Sequence, residues 1–492
     1  MKKRFLSWLL VLTLVTSLIP STLVTTALAA LAAGDGVNIA DATTLTNDTN
    51  LIENTGTYKI SGARQNPVKI TAAGKVVLVL DGVTITTATS PIELADGAQV
   101  TLVVKDDTTN TLTCTAAAVN AANSGKTAGI LVPESASLTI DRAQGADGTG
   151  SLTVTGGYGG AGIGGAAAQG YTKVQGTKGG DGGAGSNGKW AVQDIMGKGG
   201  AKGTGGLGGF YGQSATNAGT ITINAGTVNA VGGQGGAGIG GGRGGDGQIG
   251  QNGKTGGKGT VGQAVRRWDT NIQDHHHVVC GATGSSGGGG AGGNGGNGGT
   301  GGTGGTVTIN GGTVTAEGTG GAAGIGGGAG GNGGAGGNGN TGGPRVGNQN
   351  KNVANHYGWT DVYWYPGFGG AGGNGEGGKG GVGGAGGDGG TLTITGGKVQ
   401  SNGYTGFGGG SVGTNGQKGS GTRSNGNAST DAYFWWEKGG TNRWADAYCG
   451  EWRGNNAFSQ YSRAAGNGGN GGATGYYGSD SLALQTGDLT GT

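Results

Sequence analysis

The stretch GGGGAGGNGGNGGTGGTG, Gly287–Gly304, decides how much of this chain folds. After the opening glycines, single non-glycine residues recur at every third position: Ala291, Asn294, Asn297, Thr300 and Thr303. A period of three fits neither an α-helix nor a β-strand, but it matches the left-handed extended helix of three residues per turn. Such a helix has no internal hydrogen bonds, so its backbone groups must bond to neighbouring segments. The pattern therefore predicts a bundle of polyglycine II-type helices whose glycines face one another and whose third residues point outwards.

Glycine is abundant throughout the chain, with 132 glycines among 492 residues. Collagen is excluded, because its repeat has one glycine per triplet and abundant proline. This chain pairs its glycines and contains 6 prolines. A glycine-rich composition without a period is typical of disorder, whereas the regular period here predicts an ordered scaffold.

The first residues predict export. Basic residues at the start, an apolar run and an Ala-x-Ala site at Ala27–Ala29 are typical of a secretory signal peptide, residues 1–29. The mature chain is therefore expected to be secreted, free or associated with a cell surface. Without the signal peptide, 27 basic and 27 acidic residues remain, which disfavours a nucleic-acid partner. No later stretch is apolar enough to predict a membrane span in the mature chain.

The chain has an odd number of cysteines: Cys114, Cys280 and Cys449. In an exported protein, at least one thiol then has no partner within the monomer or pairs with another molecule. The sequence predicts no disulfide framework, and it leaves the oligomeric state open.

Residues 34–155 have the composition of a β-domain. Short runs rich in Val, Ile, Leu and Thr alternate with Gly, Asn and Asp: TYKIS, PVKITAAG, KVVLVLDGVTIT, PIELADGAQVTLVV, TAGILVPESASLTI and GSLTVTGG. No helical period separates them. This favours a parallel β-solenoid, in which each coil buries its apolar side chains against the coils above and below. An antiparallel β-sandwich is the alternative fold.

These runs also resemble a known family. From about Gly56 to Gly165 the succession GTYKISG, VVLVLDGVTIT, PIELADGAQVTLVV, GILVPESASLTI and GTGSLTVTGGYGGAGIGG is similar to the "carbohydrate-binding domain-containing" surface proteins of Gram-positive bacteria. The resemblance implies a right-handed parallel β-helix and glycan binding. Its motifs characterise the fold, and no set of binding residues carries over by position.

Residues 156–478 are predicted to repeat solenoid strands with long insertions between them. The strand motif SLTVTGG at Ser151 is followed by GTITINAGTVNAVGG at Gly219, GTVTINGGTVTAEGTGG at Gly305 and GTLTITGGKVQSNG at Gly390. Each motif leads into a short phrase centred on one large apolar residue: Ile163, Ile239, Ile325 and Phe407. We interpret this phrase as the corner where the chain leaves the solenoid, with the apolar residue docked on the core. Residues 479–492 form a C-terminal tail.

Each insertion has an outgoing glycine leg, a glycine-poor tip and a returning glycine leg. In the third insertion the legs start at Gly328 and Gly369, and they keep the period apart from one slip at Gly375-Glu376. The tips are residues 189–196, 263–280, 344–368 and about 422–463. The pattern predicts hairpins of two extended glycine helices, each with a chemically different tip.

The tips collect the aromatic residues. Of the 9 tryptophans, one lies in the signal peptide and all others lie in tips. The tip residues predicted to bind a ligand are Trp190, Trp268, Tyr357, Trp359, Tyr363, Trp364, Tyr365, Tyr433, Trp435, Trp436, Arg443, Trp444, Trp452 and Arg453. Tyr and Trp offer large, rigid contact areas that stack on sugars or fill partner pockets. The alternative interpretation is an apolar cluster that locks the hairpins together.

One tip contains a run of histidines. The run Asp274-His275-His276-His277, with Cys280, could ligate a transition metal. Adjacent residues of a strand point to opposite sides, so at most two of these histidines could share an ion, and His275 and His277 are the candidates. A solvated polar tip is the favoured interpretation, so no metal and no other cofactor is predicted. No Ser/His/Asp set or paired-carboxylate spacing recurs, and the chain is therefore not expected to be an enzyme.

Together these features predict an adhesin-like protein that presents aromatic tips on a rigid scaffold to a glycan or a cell-surface receptor. The layout also resembles receptor-binding bacteriophage adhesins, which are built of glycine-helix layers with variable end loops. The alternative is a structural envelope or matrix protein that exposes rows of Asn and Thr. An ice-binding protein and a polysaccharide lyase are the remaining, less favoured alternatives.

Overall fold

A computed structural model describes residues 36–491 apart from 169, 188–197, 262–263, 270–273, 281–282, 347–350, 357–358, 366–367, 428, 430, 439–440, 446–462 and 465–487. The described residues form an all-β protein. No helix occurs among them, so none of the described segments is a helix that could cross a bilayer.

The first half of the strands comprises β1 (Thr43–Thr44), β2 (Leu51–Ile52), β3 (Gly56–Arg64), β4 (Val68–Ile70), β5 (Lys75–Thr87), β6 (Ile92–Leu94), β7 (Gln99–Val104), β8 (Thr109–Cys114), β9 (Ile130–Leu131), β10 (Ser137–Asp141), β11 (Ser151–Thr155), β12 (Ile163–Gly164), β13 (Tyr171–Gln175), β14 (Phe210–Gly212), β15 (Thr220–Ile223) and β16 (Thr227–Gln234). The second half comprises β17 (Ile239–Gly240), β18 (Ala264–Asp269), β19 (Asp274–Cys280), β20 (Thr306–Ile309), β21 (Thr313–Thr319), β22 (Ile325–Gly326), β23 (Lys351–His356), β24 (Trp359–Tyr365), β25 (Thr391–Ile394), β26 (Lys398–Asn402), β27 (Phe407–Gly408), β28 (Asp431–Lys438), β29 (Thr441–Ala445), β30 (Arg463–Ala464) and β31 (Asp488–Gly491).

Two large parallel sheets, of 14 and 8 strands, contain most of these elements. The larger sheet has two wings that meet at the long strand β5: a first stack, β7-β10-β15-β20-β25-β31, and a second stack, β8-β11-β16-β21-β26. The smaller sheet is the third stack, β2-β4-β6-β9-β12-β17-β22-β27. From β7 onwards the chain visits the first, second and third stacks in that order and then repeats the circuit. Parallel pairing throughout these stacks contradicts the alternative of a β-sandwich, whose sheets are antiparallel.

The core consists of apolar columns that run through the stacks. In the first stack Leu138, Ile221, Val307 and Leu392 occupy one register position, and all four are buried. Their strands alternate buried and more exposed residues, as in the TITI of β15, because successive strand residues point to opposite faces. Each fully buried aliphatic side chain contributes roughly 1.5–3 kcal/mol. Repetition of one strand motif therefore extends one core.

The third stack supplies the corner residues that the sequence predicts. Ile163, Ile239 and Ile325 are paired in register and buried in the core, which confirms that the Ile of each phrase docks there. The same prediction is wrong for Phe407, which is 37% exposed. Its strand β27 ends the third stack within the described part of the chain, so no further strand of that stack covers the ring.

Seven glycine legs are described: outgoing leg 1 (170–186), returning leg 1 (199–218), outgoing leg 2 (242–257), returning leg 2 (284–304), outgoing leg 3 (328–343), returning leg 3 (369–388) and outgoing leg 4 (410–421). They contain few strand residues, and their backbones bond to each other with a period of three. In returning leg 2 successive residues donate to three different legs: Gly290 N to Lys254 O (2.8 Å), Ala291 N to Gly180 O (2.9 Å) and Gly292 N to Glu376 O (2.9 Å). This leg also accepts bonds from two further legs, since Gly206 N donates to Ala291 O and Gly337 N to Gly293 O, each at 2.8 Å. Every third residue of a leg therefore bonds to the same neighbouring leg, and this repeat matches the triplet period of the sequence.

The legs show why paired glycines are needed. A Cβ added to Gly292 would overlap the carbonyl oxygen of Gly337, and one added to Gly295 would overlap that of Gly334. The backbone period also continues through the slip at Gly375-Glu376, because Gly372, Gly375 and Gly378 still donate to outgoing leg 3 in regular steps. The slip changes which face carries the side chains and leaves the backbone bonds intact.

The prediction that every third residue points outwards is wrong in the central leg. Ala291 is 0% and Asn294 5% exposed, because returning leg 2 is surrounded by five other legs. The Asn side chains have a specific role there. Asn294 Oδ1 accepts a hydrogen bond of 2.9 Å from Lys379 N, and Asn297 Oδ1 accepts one of the same length from Val382 N. These Asn side chains therefore satisfy amides of the next leg.

Candidate functional site

All four insertions begin at the third stack. Each one begins after a two-residue strand of the third stack, namely β12, β17, β22 and β27, and the chain then returns to the first stack. Small residues allow this exit, because Gly164, Gly240 and Gly326 have φ of 134°, 138° and 139°. A side chain at such a φ is strained. The positions of the legs are thus determined by the parallel stacks.

The residues that flank the tips lie at one end of the legs. They are joined directly by backbone hydrogen bonds: Thr260 N to Lys198 O (3.0 Å), Gly284 N to Thr260 O (3.0 Å), Ser285 N to Ser186 O (3.0 Å), Ser286 N to Gly370 O (2.9 Å) and Asn427 N to Ala371 O (2.8 Å). These contacts connect the borders of all four insertions. The four tip segments therefore start from one area of the molecule.

The base of the third tip is closed by two contacts. Val346 and Gly369 form an antiparallel bridge, so the chain enters and leaves the tip at neighbouring positions. Just beyond, the guanidinium of Arg345 lies over the ring of Phe368, 4.7 Å from its centroid. A cation over an aromatic face contributes roughly 0.5–1 kcal/mol at an exposed site. This clamp lies at the base of the tip, where the chain runs towards the start of β23 and comes back from the end of β24.

The third and fourth tips share one antiparallel sheet, β23-β24-β28-β29, with β30 paired to β28. The pairing continues the pairing of the legs. Strand β24 leads into returning leg 3 and β28 follows outgoing leg 4, and these two legs are already bonded, for example from Gly413 N to Gly384 O at 2.9 Å. We call this five-stranded sheet the composite sheet, because two different insertions build it.

The composite sheet brings together nine of the predicted ligand-binding residues: Trp359, Tyr363, Trp364, Tyr365, Tyr433, Trp435, Trp436, Arg443 and Trp444. In its register Tyr363 lies opposite Trp435, which lies opposite Trp444. Tyr365 lies opposite Tyr433. Residues that are far apart in the sequence thus occupy adjacent positions on neighbouring strands.

The other predicted residues are elsewhere. Trp268 lies on β18, and the candidate metal ligands His275 and His277 lie on β19, in a separate two-stranded sheet. Trp190, Tyr357, Trp452 and Arg453 lie outside the described residues, as do the signal peptide and Cys449. Among the residues searched in the described part of the chain, no group of three or more His, Cys, Asp or Glu could hold a metal ion.

Among the titratable side chains that the structure describes, those with a perturbed pKa lie in the stacks and legs. Glu93 is buried in the third stack, where burial raises the pKa of its carboxyl despite an ion pair of 3.7 Å with Lys126. Burial also raises the pKa of the thiol of the free cysteine Cys114, which packs beneath Gly157. On the legs, hydrogen bonds from Gly205 N and the ammonium groups of Lys202 and Lys178 lower the pKa of Asp181. These groups are structural.

Comparison with known proteins gives one family. The chain matches the model of a family described as "Carbohydrate-binding domain-containing protein" over residues 46–238, which is under half of its length. The matched region covers the stacks from about β2 to β16 and the first insertion, and it ends before the second, third and fourth tips. No curated protein and no solved structure is significantly similar to the chain.

Proposed function

We propose that this chain is an exported, non-enzymatic, adhesin-like protein that binds glycans through the aromatic residues of its insertions. The observation that carries the proposal is the composite sheet, in which nine predicted ligand-binding residues from two insertions occupy neighbouring strands. The similarity to a carbohydrate-binding family supports a glycan ligand and a binding rather than a catalytic role.

In this proposal the three parallel stacks are the sides of a β-helix, and the legs are polyglycine II-type helices. Two observations support this interpretation. The chain visits the stacks in a constant order, as successive coils of a solenoid would. The leg backbones bond to neighbouring legs at every third residue, as extended threefold helices would. A scaffold of this kind holds its binding residues in place before the ligand arrives, which lowers the entropic cost of binding.

A purely structural role based on exposed rows of Asn receives less support. The Oδ1 atoms of Asn294, Asn297 and Asn338 accept backbone hydrogen bonds from neighbouring legs. Side chains committed to bonds within the protein contribute little to a flat, hydrated array. The same argument disfavours ice binding by these rows.

The test is a glycan array probed with the full chain and with a Trp435→Ala/Trp444→Ala double variant. We expect the full chain to bind one glycan class and the variant to lose that binding while keeping its circular dichroism spectrum. If the full chain binds no glycan and light scattering shows assembly of the chain with itself, the structural alternative replaces this proposal.

A further inference from the structure

We propose that the leg bundle protects its Asn-Gly pairs from deamidation, and that Asn402, at the end of the second stack, is the described site where this modification occurs first. Asn followed by Gly is the dipeptide most prone to deamidation, because glycine has no side chain to shield its amide nitrogen. This property goes beyond the proposed function, since it concerns the chemical lifetime of the scaffold rather than the ligand of the tips.

The legs contain seven Asn-Gly pairs in which both residues are described. The asparagines are Asn252, Asn294, Asn297, Asn332, Asn338, Asn374 and Asn415. In one such pair Asn294 Oδ1 accepts a hydrogen bond from Lys379 N, and Gly295 N donates to Lys379 O, each at 2.9 Å. The pair thus bonds to both backbone groups of one residue in the next leg. We call this arrangement the Asn-Gly clasp.

The clasp recurs through the bundle. The other residues held in this way are Asn338 by Asn252, Val382 by Asn297, Thr414 by Asn332 and Ser420 by Asn338, with all bonds between 2.7 and 3.0 Å. Asn374 and Asn415 differ in one respect, because their two bonds go to two residues of the neighbouring leg rather than to one. In all seven pairs, therefore, the Asn Oδ1 and the following glycine N–H are both bonded to another leg.

Deamidation begins at the glycine amide. This nitrogen loses its proton to a base and attacks Cγ of the asparagine; the Cγ–Nδ2 bond breaks, and the departing group takes up a proton and leaves as ammonia. Water then opens the resulting succinimide ring to aspartate or isoaspartate. The clasp opposes the first step twice. The glycine proton is shared with a neighbouring carbonyl, and the bond to Oδ1 directs the side chain towards the next leg.

Reaction in the legs therefore requires the clasp to open. Opening breaks two hydrogen bonds of ordinary strength, which lowers the population of the reactive form roughly 30-fold. Protection also matters for the fold. Isoaspartate lengthens the main chain by one carbon atom, and the bonds between legs depend on a constant period of three residues. An unprotected leg would lose its register with every such event.

Asn402 has neither restraint. It is the exposed last residue of β26, which ends the second stack in the described part of the chain and so has a strand on one side only. Gly403 is also exposed, and the chain bends there. Among the described residues, neither the Asn402 side chain nor Gly403 N has a hydrogen-bond partner. The end of β26 can therefore reach the geometry for ring closure without breaking a clasp.

The two remaining described pairs, which start at Asn310 and Asn425, are more restrained than Asn402. Asn310 Nδ2 donates to Asn224 Oδ1 at 3.0 Å, and its Oδ1 accepts a bond of 2.7 Å from Thr395 Oγ1. Asn425 and Gly426 lie between two residues that are bonded to returning leg 3, since Ser424 N donates to Asn374 O and Asn427 N to Ala371 O. We therefore expect both pairs to react more slowly than Asn402.

The experiment follows each asparagine by peptide mapping and mass spectrometry. The full chain is incubated at mildly alkaline pH, where glycine amides lose their protons more readily, and is then digested. A second sample is digested before the same incubation, so that each Asn-Gly pair reacts without the fold. In the folded chain we expect Asn402 to deamidate first and the seven leg asparagines at least about 30-fold more slowly. In the digest all pairs should react at similar rates.

A single methyl group tests the clasp itself. In Gly380→Ala the new Cβ would overlap Gly416 O, which separates returning leg 3 from outgoing leg 4 beside Asn415. This variant should accelerate deamidation of Asn415 and leave Asn252 unchanged. Gly245→Ala is the control, because its Cβ would lie 3.2 Å from Gln213 O and leaves the legs in contact.

Three results would overturn the proposal. Leg asparagines that react as fast as Asn402 in the folded chain would show that the clasp gives no protection. The same ranking of sites in the digest would show that neighbouring residues set the rates rather than the fold. A folded Gly380→Ala variant with unchanged deamidation of Asn415 would separate protection from the contact between legs, and the comparison of folded chain and digest decides the matter if this variant does not fold.

Discussion

The most direct test of the glycine scaffold is the addition of one methyl group to its central leg. In a Gly292→Ala variant the new Cβ would overlap the carbonyl oxygen of Gly337 in outgoing leg 3. Normal contact between such atoms requires ~3.5 Å, so the two legs must separate locally by more than ~1 Å. Three backbone bonds join these legs around that point, from Asn340 N to Gly290 O (3.0 Å), from Gly337 N to Gly293 O and from Gly334 N to Gly296 O (both 2.8 Å).

The loss of these three hydrogen bonds determines how much Gly292→Ala destabilises the contact between the two legs. At about 1 kcal/mol for each lost hydrogen bond, separation destabilises the contact by about 3 kcal/mol. Replacing Gly by Ala offsets about 0.4–1 kcal/mol by restricting the unfolded chain. We therefore expect a net local loss of about 2–3 kcal/mol. Gly245→Ala is the matched control, because its Cβ would lie 3.2 Å from Gln213 O and requires only a small adjustment.

Hydrogen exchange read by mass spectrometry measures this loss directly. Amides of returning leg 2 and outgoing leg 3 should exchange about 30- to 150-fold faster in Gly292→Ala, the ratio that corresponds to 2–3 kcal/mol. In Gly245→Ala the same peptides should exchange at the rate of the unmodified chain. If Gly292→Ala and Gly245→Ala were indistinguishable, the legs would not be in backbone contact, and the argument for an ordered glycine scaffold would fail.

Three further predictions concern single residues. Asn294→Ala removes the acceptor of the Lys379 amide in a buried position, so we expect a loss of about 1–3 kcal/mol and faster exchange of that amide. Ile239→Ala leaves a cavity in the core, where Ile239 is 0% exposed, and should lower the free energy of unfolding in urea by about 2–5 kcal/mol. Because burial raises the pKa of Glu93, its contribution to stability is present below the ordinary pKa of a glutamate and lost as pH rises through the raised value. Thermal unfolding should accordingly show Glu93→Gln gaining more over the unmodified chain at pH 7 than at pH 4, and an equal difference at both pH values would contradict this.

The repeated strands could be predicted from the sequence because each repeat gives the same local signal. The motif TVTI of β20 repeats the pattern of TITI in β15, and these strands are paired in parallel. The alternation of apolar and polar residues fixes which side chains are buried, since slipping by one residue would expose all of them. Strand β8, TNTLTC, was missed because its few apolar residues give a weak pattern. It is a strand because it pairs with β5 and β11.

Whether the non-glycine residue of each triplet is buried or exposed could not be predicted in the same way. The sequence of returning leg 2 gives the period, but the number of neighbouring legs depends on how four insertions assemble. Ala291 and Asn294 are buried because this leg has neighbours on five sides, whereas Thr300 in the same leg is exposed. A local pattern identifies the glycine face of a helix and contains no information about its position in a bundle.

The composite sheet likewise depends on a relation between insertions that no single tip reveals. Aromatic residues with a strand period are visible in β24 and in β28 separately. Their pairing requires that returning leg 3 and outgoing leg 4 be adjacent and antiparallel, which the bonds from Gly413 N to Gly384 O and from Gly416 N to Gly381 O establish. The sequence therefore allowed a prediction of the kinds of residue at the site, and the fold defines which of them are neighbours.

The distance between neighbouring strands is maintained from the stacks, through the legs, to the composite sheet. Thr220 pairs with Thr306 in the first stack, 86 residues on, and Gly206 N bonds to Ala291 O in the legs, 85 residues on, so strands and legs of successive repeats follow the same order. Paired strands are ~4.8 Å apart, and a leg that continues from such a strand must accept a neighbour at a similar distance. Paired glycines make this possible, because a Cβ at Gly292 or Gly295 would push the legs apart. The legs therefore carry the strand spacing out to the tips, and β24 and β28 reach that end already close enough to form a sheet.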